Sequence, residues 1–116
     1  MRHDLLGNKT AHASKTREIE AIRELDGIFC ASDALAMGVL DSCRDIARIP
    51  VPEQLRIVGC DNVPQAAWQG YQLTTIAQPV NEIAKTVMEK LNQIWSNQHG
   101  TQTYTRISPV LKVRRT

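Results

Sequence analysis

The sequence is poor in aromatic residues, in net charge and in long apolar runs, and each shortage excludes a class of protein. Its 116 residues include one Phe, two Tyr and two Trp, and the formal net charge is +2. So small a charge gives no reason to expect nucleic-acid or membrane-surface binding. No apolar stretch approaches the length that spans a bilayer. The basic residues near the carboxyl end, Lys112, Arg114 and Arg115, are interpreted as a solvated end.

Cysteine is also scarce, and its spacing fits neither a disulfide framework nor a metal site. Cys30 and Cys60 fall in presumed buried strands and Cys43 on a helix, so we interpret all three as small core residues. The three histidines lie in polar segments and offer no basic partner for a nucleophilic thiol. We therefore predict no metal and no cofactor. Residues 1–4 lack the apolar core of a secretion signal, which predicts a cytoplasmic protein.

Two short apolar runs organise the chain. Gly27–Ala31 is followed by Ser32 and Asp33, and Leu55–Cys60 by Asp61 and Asn62, with an amphipathic helix predicted between them. This pattern is typical of a β-α-β unit, whose two strands run parallel. Polar side chains then lie at the carboxyl ends of neighbouring strands, the edge at which open α/β sheets bind ligands.

The remaining segments predict one three-layer α/β domain, in which helices lie on both faces of an open, mostly parallel sheet. Residues 1–13 are an irregular lead-in, and a modest helix is expected over residues 14–25. A third strand, Leu73–Ala77, precedes a long helix that starts near Pro79 and is expected to pack on the sheet. Residues 101–108 and 110–113 read as extended segments. Such a sheet usually has more strands, so we expect part of the fold to lie upstream.

Four segments, in order and with their spacing kept, resemble the lactose/galactose-repressor (LacI/GalR) family of bacterial transcription regulators. The first, DGIFCASDALAMG at residues 26–38, is similar to the family pattern D-A-I-F-x-A-N-D-x-x-A-x-G. The others are VPEQLRIVGCDNVP at 51–64, LTTIAQP at 73–79 and PVLKVRRT at 109–116. Four ordered motifs are specific in a way that one is not.

The resemblance implies a periplasmic-binding-protein-like (type I) sensor domain, of which residues 14–116 match the later part of the carboxyl-terminal lobe. A complete family member also has a helix-turn-helix and an amino-terminal lobe, neither of which this chain matches. We therefore expect the effector-binding and dimerising portion of a longer regulator. Its partners would be a sugar or similar small molecule and a second copy, and operator DNA would be contacted only through regions absent from this chain.

In the resembled family, the residues matching Ser32 and Asp61 contact the effector, and the residue matching Gln78 lies near the cleft. A fixed carboxylate suits sugars and purines, whose hydroxyl or amine groups donate hydrogen bonds. The family usually has asparagine at Ser32. Asp33 is either a ligand residue or the N-cap of the following helix, and Gln78 either a ligand residue or the start of the long helix.

The resemblance also predicts dimer contacts at Met37, Leu40 and Trp68. The alternative for Met37 and Leu40 is burial against the sheet of their own subunit. Two other functions remain open. One is a fragment of a periplasmic-type small-molecule binding protein, and the other an enzyme with Asp33 or Asp61 as acid or nucleophile. The enzyme needs a metal and an opposed lysine that the sequence does not place, so we predict no catalysis.

Overall fold

The computed structural model of the protein describes residues 18–96 and 104–116. Within them, one four-stranded sheet has the strand order β1-β2-β3-β4. Strands β1 (Gly27–Phe29), β2 (Arg56–Asp61) and β3 (Thr74–Ala77) run parallel, and β4 (Val110–Lys112) runs antiparallel to β3. The predicted open, mostly parallel α/β sheet is confirmed.

The predicted β-α-β unit joins β1 to β2. Helix α1 (Asp33–Ser42) continues into a π-helical turn, Cys43–Ala47, which Arg48 ends in the left-handed conformation with a φ of 52°. Ala36 and Leu40, one helical turn apart, share the buried face of α1. The chain then passes through Pro50 and Pro52, which keep it out of helical conformation, before β2 begins.

The core lies between α1 and the parallel strands. Leu40, Leu55, Ile57 and Leu73 are completely buried, and smaller residues fill the space around them. Gly59 on β2 lets α1 approach closely, because a Cβ at this position would collide with the carboxylate of Asp33 and would lie tightly against Ala36 and Leu73. This close approach brings the first turn of α1 against the end of β2.

Helix α2 (Val80–Trp95) carries an apolar stripe that includes Ile83, Val87 and Met88, but it does not bury this stripe against the sheet. None of its residues is buried among the described residues; Val87 and Met88, in the middle of the stripe, are 49% and 52% exposed. The prediction that this helix packs on the sheet is wrong. Periodicity shows that a helix has an apolar face, but not which part of a protein covers that face.

Several expectations concern the two ends of the chain. The lead-in at 1–13 and parts of the predicted segments at 14–25 and 101–108 lie outside the described residues; residues 18–23 are helical, and 104–109 form no strand. The interpretation of the basic end as solvated is wrong for Arg114, which is half-buried, whereas Lys112 and Arg115 are exposed. Thr116 is buried and hydrogen-bonds Ile57 and Thr74.

Candidate functional site

The three parallel strands bring Ser32, Asp61 and Gln78 to one edge of the sheet. Ser32 lies three residues beyond Phe29, and Asp61 three residues beyond Val58, the register partner of Phe29. Asp61 ends β2 opposite Ala77, and Gln78 follows directly. The parallel register therefore places all three residues at the carboxyl edge of the sheet.

Asp61 and Gln78 form the centre of this edge. The Nε2 of Gln78 donates to Oδ1 of Asp61 at 3.0 Å and lies 3.9 Å from the Sγ of Cys60. Both side chains are exposed, and no donor from the described residues occupies Oδ2 of Asp61. A carboxylate oxygen and the amide oxygen of Gln78 are thus free to accept hydrogen bonds from a polar molecule.

Ser32 caps helix α1. Its Oγ accepts from the backbone N–H of Leu35 at 3.3 Å, which satisfies one of the free amide groups of the first turn. The hydroxyl still has its own proton to donate, and the residue is only half-buried. Ser32 can therefore cap the helix and present one donor at the same edge.

Asp33 is neither the N-cap nor a ligand residue. It is completely buried; its Oδ1 accepts from the Thr75 hydroxyl at 2.5 Å and its Oδ2 from the backbone N–H of Val63 at 2.9 Å. The predicted ligand contact is wrong, because both oxygens already have partners inside the fold. Asp33 instead ties the start of α1 to β3 and to the segment that follows Asp61.

That segment has unusual backbone angles. Asp61 has a φ of 126° and Asn62 a φ of 58°, a region that non-glycine residues rarely occupy. Asn62 donates its N–H to the Thr75 hydroxyl at 3.3 Å, and its Oδ1 accepts from Nη2 of Arg114 at 2.9 Å. Strained residues of this kind persist where the surroundings hold them, and they concentrate at functional sites.

The sequence did not reveal the supporting residues Asn62, Thr75 and Arg114. Asparagine occupies the left-handed region more readily than most residues, so Asn62 carried a local signal. Thr75 and Arg114 carried no such signal, because they lie 13 and 52 positions from Asn62 in the chain. Only the sheet brings them together.

The predicted dimer residues divide into two groups. Leu40 is completely buried in its own subunit, so its prediction as a dimer contact is wrong. Met37 is half-buried and packs against the core, whereas Trp68 is 58% exposed. Leu35, which the sequence analysis did not select, is 59% exposed on α1. The Tyr71 hydroxyl donates to Oδ2 of Asp41 at 3.3 Å, and the negative charge of Asp41 raises the pKa of Tyr71.

The described residues contain no group of three or more His, Cys, Asp or Glu side chains placed to hold a metal ion. None of their helices is both long enough and apolar enough to cross a membrane.

An open parallel sheet with hydrogen-bonding side chains at its strand ends defines the class of small-molecule-binding α/β domains. The periplasmic binding protein-like domain family matches residues 3–116, and the chain belongs to this family. The resemblance to LacI-type regulators is also confirmed, because the matched relatives are LacI-family repressors.

The sucrose operon repressor of Pediococcus pentosaceus is 37% identical over 84 residues, which are 70% of this chain and 26% of the repressor. A LacI family regulator from Lactobacillus casei, solved with bound sucrose, is 32% identical with a TM-score of 0.63 and covers 78% of this chain. A periplasmic binding protein/LacI regulator from Alkaliphilus metalliredigens, solved with D-xylulofuranose, is 30% identical with a TM-score of 0.70 and covers 86%.

The chain spans about a quarter of the length of the sucrose operon repressor and about a third of each solved regulator: 32% of the Lactobacillus protein and 37% of the Alkaliphilus protein. The relatives named are transcription regulators, so the comparison favours the regulator over the periplasmic-type binding protein.

Proposed function

We propose that this chain is the carboxyl-terminal lobe portion of the sensor domain of a LacI/GalR-type transcription regulator, and that Asp61, Gln78 and Ser32 contact a sugar or similar polar effector. Operator binding would belong to other parts of the regulator. The proposal also places the protein in the cytoplasm, where such a regulator meets its operator, and gives it no catalytic activity.

The observation that carries the proposal is the pairing of Asp61 and Gln78 at the open edge of the sheet. The Nε2 of Gln78 donates to Oδ1 of Asp61 at 3.0 Å. This hydrogen bond orients the carboxylate, whose other oxygen, Oδ2, can then accept from a ligand. A carboxylate held in this way can accept from a sugar hydroxyl without first being ordered, which lowers the entropic cost of binding. Sucrose and D-xylulofuranose in the neighbouring structures have the hydroxyl donors that such a site suits.

The test is calorimetric titration of the protein with sucrose, lactose and a free pentose. We expect one sugar to bind, and Asp61→Asn to raise its Kd at least tenfold, because a hydrogen bond to a charged group contributes about 1.5–3 kcal/mol. Asp45→Asn is the matched control, since Asp45 is an exposed carboxylate on the π-helical turn. An equal Kd for Asp61→Asn and the unaltered protein would remove Asp61 from the site.

Self-association forms the second part of the proposal. The exposed side of α1 carries Leu35, and Trp68 is exposed after the short 3₁₀ helix Pro64–Ala67. A groove lined by Ile22, Ala34, Leu35, Gly38, Val39 and Ser42 runs along that side of α1. Exposed apolar patches favour association, and a homodimer is the commonest outcome. Sedimentation equilibrium should give a dimer that Leu35→Glu dissociates; a monomer at high concentration would contradict this.

A further inference from the structure

The carboxyl-terminal residues reach the strained segment beside Asp61. Arg114 donates from Nη2 to Oδ1 of Asn62 at 2.9 Å and from Nη1 to the carbonyl oxygen of Leu73 at 2.7 Å. Arg114 is half-buried, and both Nη1 and Nη2 of its guanidinium have partners, which restricts its movement away from Asn62. Planar guanidinium groups are suited to fixing two acceptors at once.

The backbone around Arg114 is fixed as well. Its N–H donates to the Thr74 hydroxyl at 3.0 Å. The Thr116 hydroxyl donates to the carbonyl oxygen of Ile57 at 2.8 Å and accepts from the N–H of Thr74 at 2.8 Å. Residues 114 and 116 are therefore hydrogen-bonded to β2 and β3, which fixes the backbone from which the Arg114 side chain extends.

The backbone turn at Asp61 and Asn62 depends on contacts from the surrounding residues. Asp61 has a φ of 126°, which non-glycine residues rarely adopt, and Asn62 lies in the left-handed region with a φ of 58°. Residues in such conformations persist where surrounding contacts hold them. The Thr75 hydroxyl holds the backbone of Asn62, and Arg114 holds its side chain. Together the two contacts fix the backbone turn from which the side chain of Asp61 extends.

We infer that Arg114 is a positioning residue for the candidate effector site: through Asn62 it fixes the backbone turn that aims Asp61. The inference deepens the proposed function and rests on it for the role of Asp61. The role inferred for Arg114 is to hold Asn62, and no direct contact with the effector is proposed for it. Its loss would lower the affinity of the site by letting Asp61 and Asn62 relax to ordinary backbone angles.

The experiment compares amide hydrogen exchange, measured by NMR, in the unaltered protein, Arg114→Gln and the matched control Arg115→Gln. Arg115 is the exposed neighbour of the same charge. In Arg114→Gln we expect the amides of Asn62 and Val63 to exchange at least tenfold faster, with the amide of Cys30, bonded to Val58 in the core, unchanged. Arg115→Gln should match the unaltered protein.

A second variant tests the same contact in case Arg114→Gln does not fold. Asn62→Gly removes the acceptor for Arg114 but tolerates a positive φ, and it should accelerate exchange at Val63 to a similar degree. The double variant should add nothing, since the two residues act through one contact. Unchanged exchange at Asn62 and Val63 in Arg114→Gln, or equal acceleration of Cys30, would overturn the inference.

Sugar titration then separates this inference from the proposed function. If the unaltered protein binds a sugar, Arg114→Gln should raise the Kd by a factor of three to ten, whereas Asp61→Asn raises it at least tenfold. An unchanged Kd with accelerated exchange would overturn the positioning role. If no sugar binds, the proposed function fails, and local acceleration in Arg114→Gln still shows that Arg114 holds the turn.

Discussion

Asp33 accepts a hydrogen bond from the backbone N–H of Val63 at 2.9 Å, although 30 positions of the chain separate the two residues. The same carboxylate accepts from Thr75 on β3. Three parts of the fold, the start of α1, β3 and the segment after β2, thus meet at one buried side chain. The candidate site is built on this junction, because Asp61 immediately precedes the segment that Asp33 holds.

Asp33→Ala should destabilise the fold strongly. It leaves the Val63 N–H and the Thr75 hydroxyl without an acceptor, at about 1–3 kcal/mol for each buried group. We expect the free energy of unfolding in urea to fall by about 2–5 kcal/mol. Asp45→Ala, at an exposed carboxylate, should change it by less than about 0.5 kcal/mol. Similar losses in the two variants would contradict the role given to Asp33.

Two glycine-to-alanine substitutions should have opposite effects. At Gly59 the added Cβ collides with the Asp33 carboxylate and crowds Ala36 and Leu73, so Gly59→Ala should lower the free energy of unfolding by about 1–3 kcal/mol. At Gly38, inside α1, no neighbouring atom lies within 4 Å of the added Cβ. Gly38→Ala should therefore raise stability by about 0.5–1 kcal/mol. Thermal melts of the pair provide the measurement, and a stabilising Gly59→Ala would contradict the close approach.

The buried thiols should make stability fall in alkaline solution. Burial raises the pKa of Cys30 and of Cys43 above the ordinary value of 9.0. The thiols are therefore neutral in the folded state at pH values where those of the unfolded chain ionise. Their contribution to the free energy of unfolding is complete below pH 9, the ordinary pKa, and is lost as the pH rises through the higher pKa of the folded state. Urea unfolding at pH 8 to 10.5 measures this loss. Cys30→Ala should make the free energy of unfolding depend less steeply on pH.

Apolar substitutions should have unequal costs in α2 and in the core. Met88 on α2 is 52% exposed, and Met88→Ser should cost less than about 0.5 kcal/mol of unfolding free energy. Leu55 is completely buried, and Leu55→Ala should cost about 2–5 kcal/mol. Chemical denaturation of both variants provides the comparison. If Met88→Ser also lowered the free energy of unfolding by about 2–5 kcal/mol, the apolar stripe of α2 would have to be covered in solution.

Local patterns in the sequence predicted most of the elements near the site. The run Gly27–Ala31, the helix after it and the run Leu55–Cys60 all formed, and the parallel pairing followed from their order. Ser32, Asp61 and Gln78 reached the same edge, because carboxyl ends of adjacent parallel strands must meet. The roles of Ser32 and Asp33 did not follow. Either could cap α1, and only burial and the Val63 contact decide between them.

The sequence by itself determined the β-α-β unit, the polar edge and the family, because these depend on short-range periodicity and on ordered motifs. The tertiary structure alone decided that Leu40 is core and that Arg114 reaches Asn62. It also left the α2 stripe without a covering layer in the described residues. The reason is physical: contacts between distant positions depend on which side chains the sheet register brings within hydrogen-bonding distance, and no local pattern encodes that register.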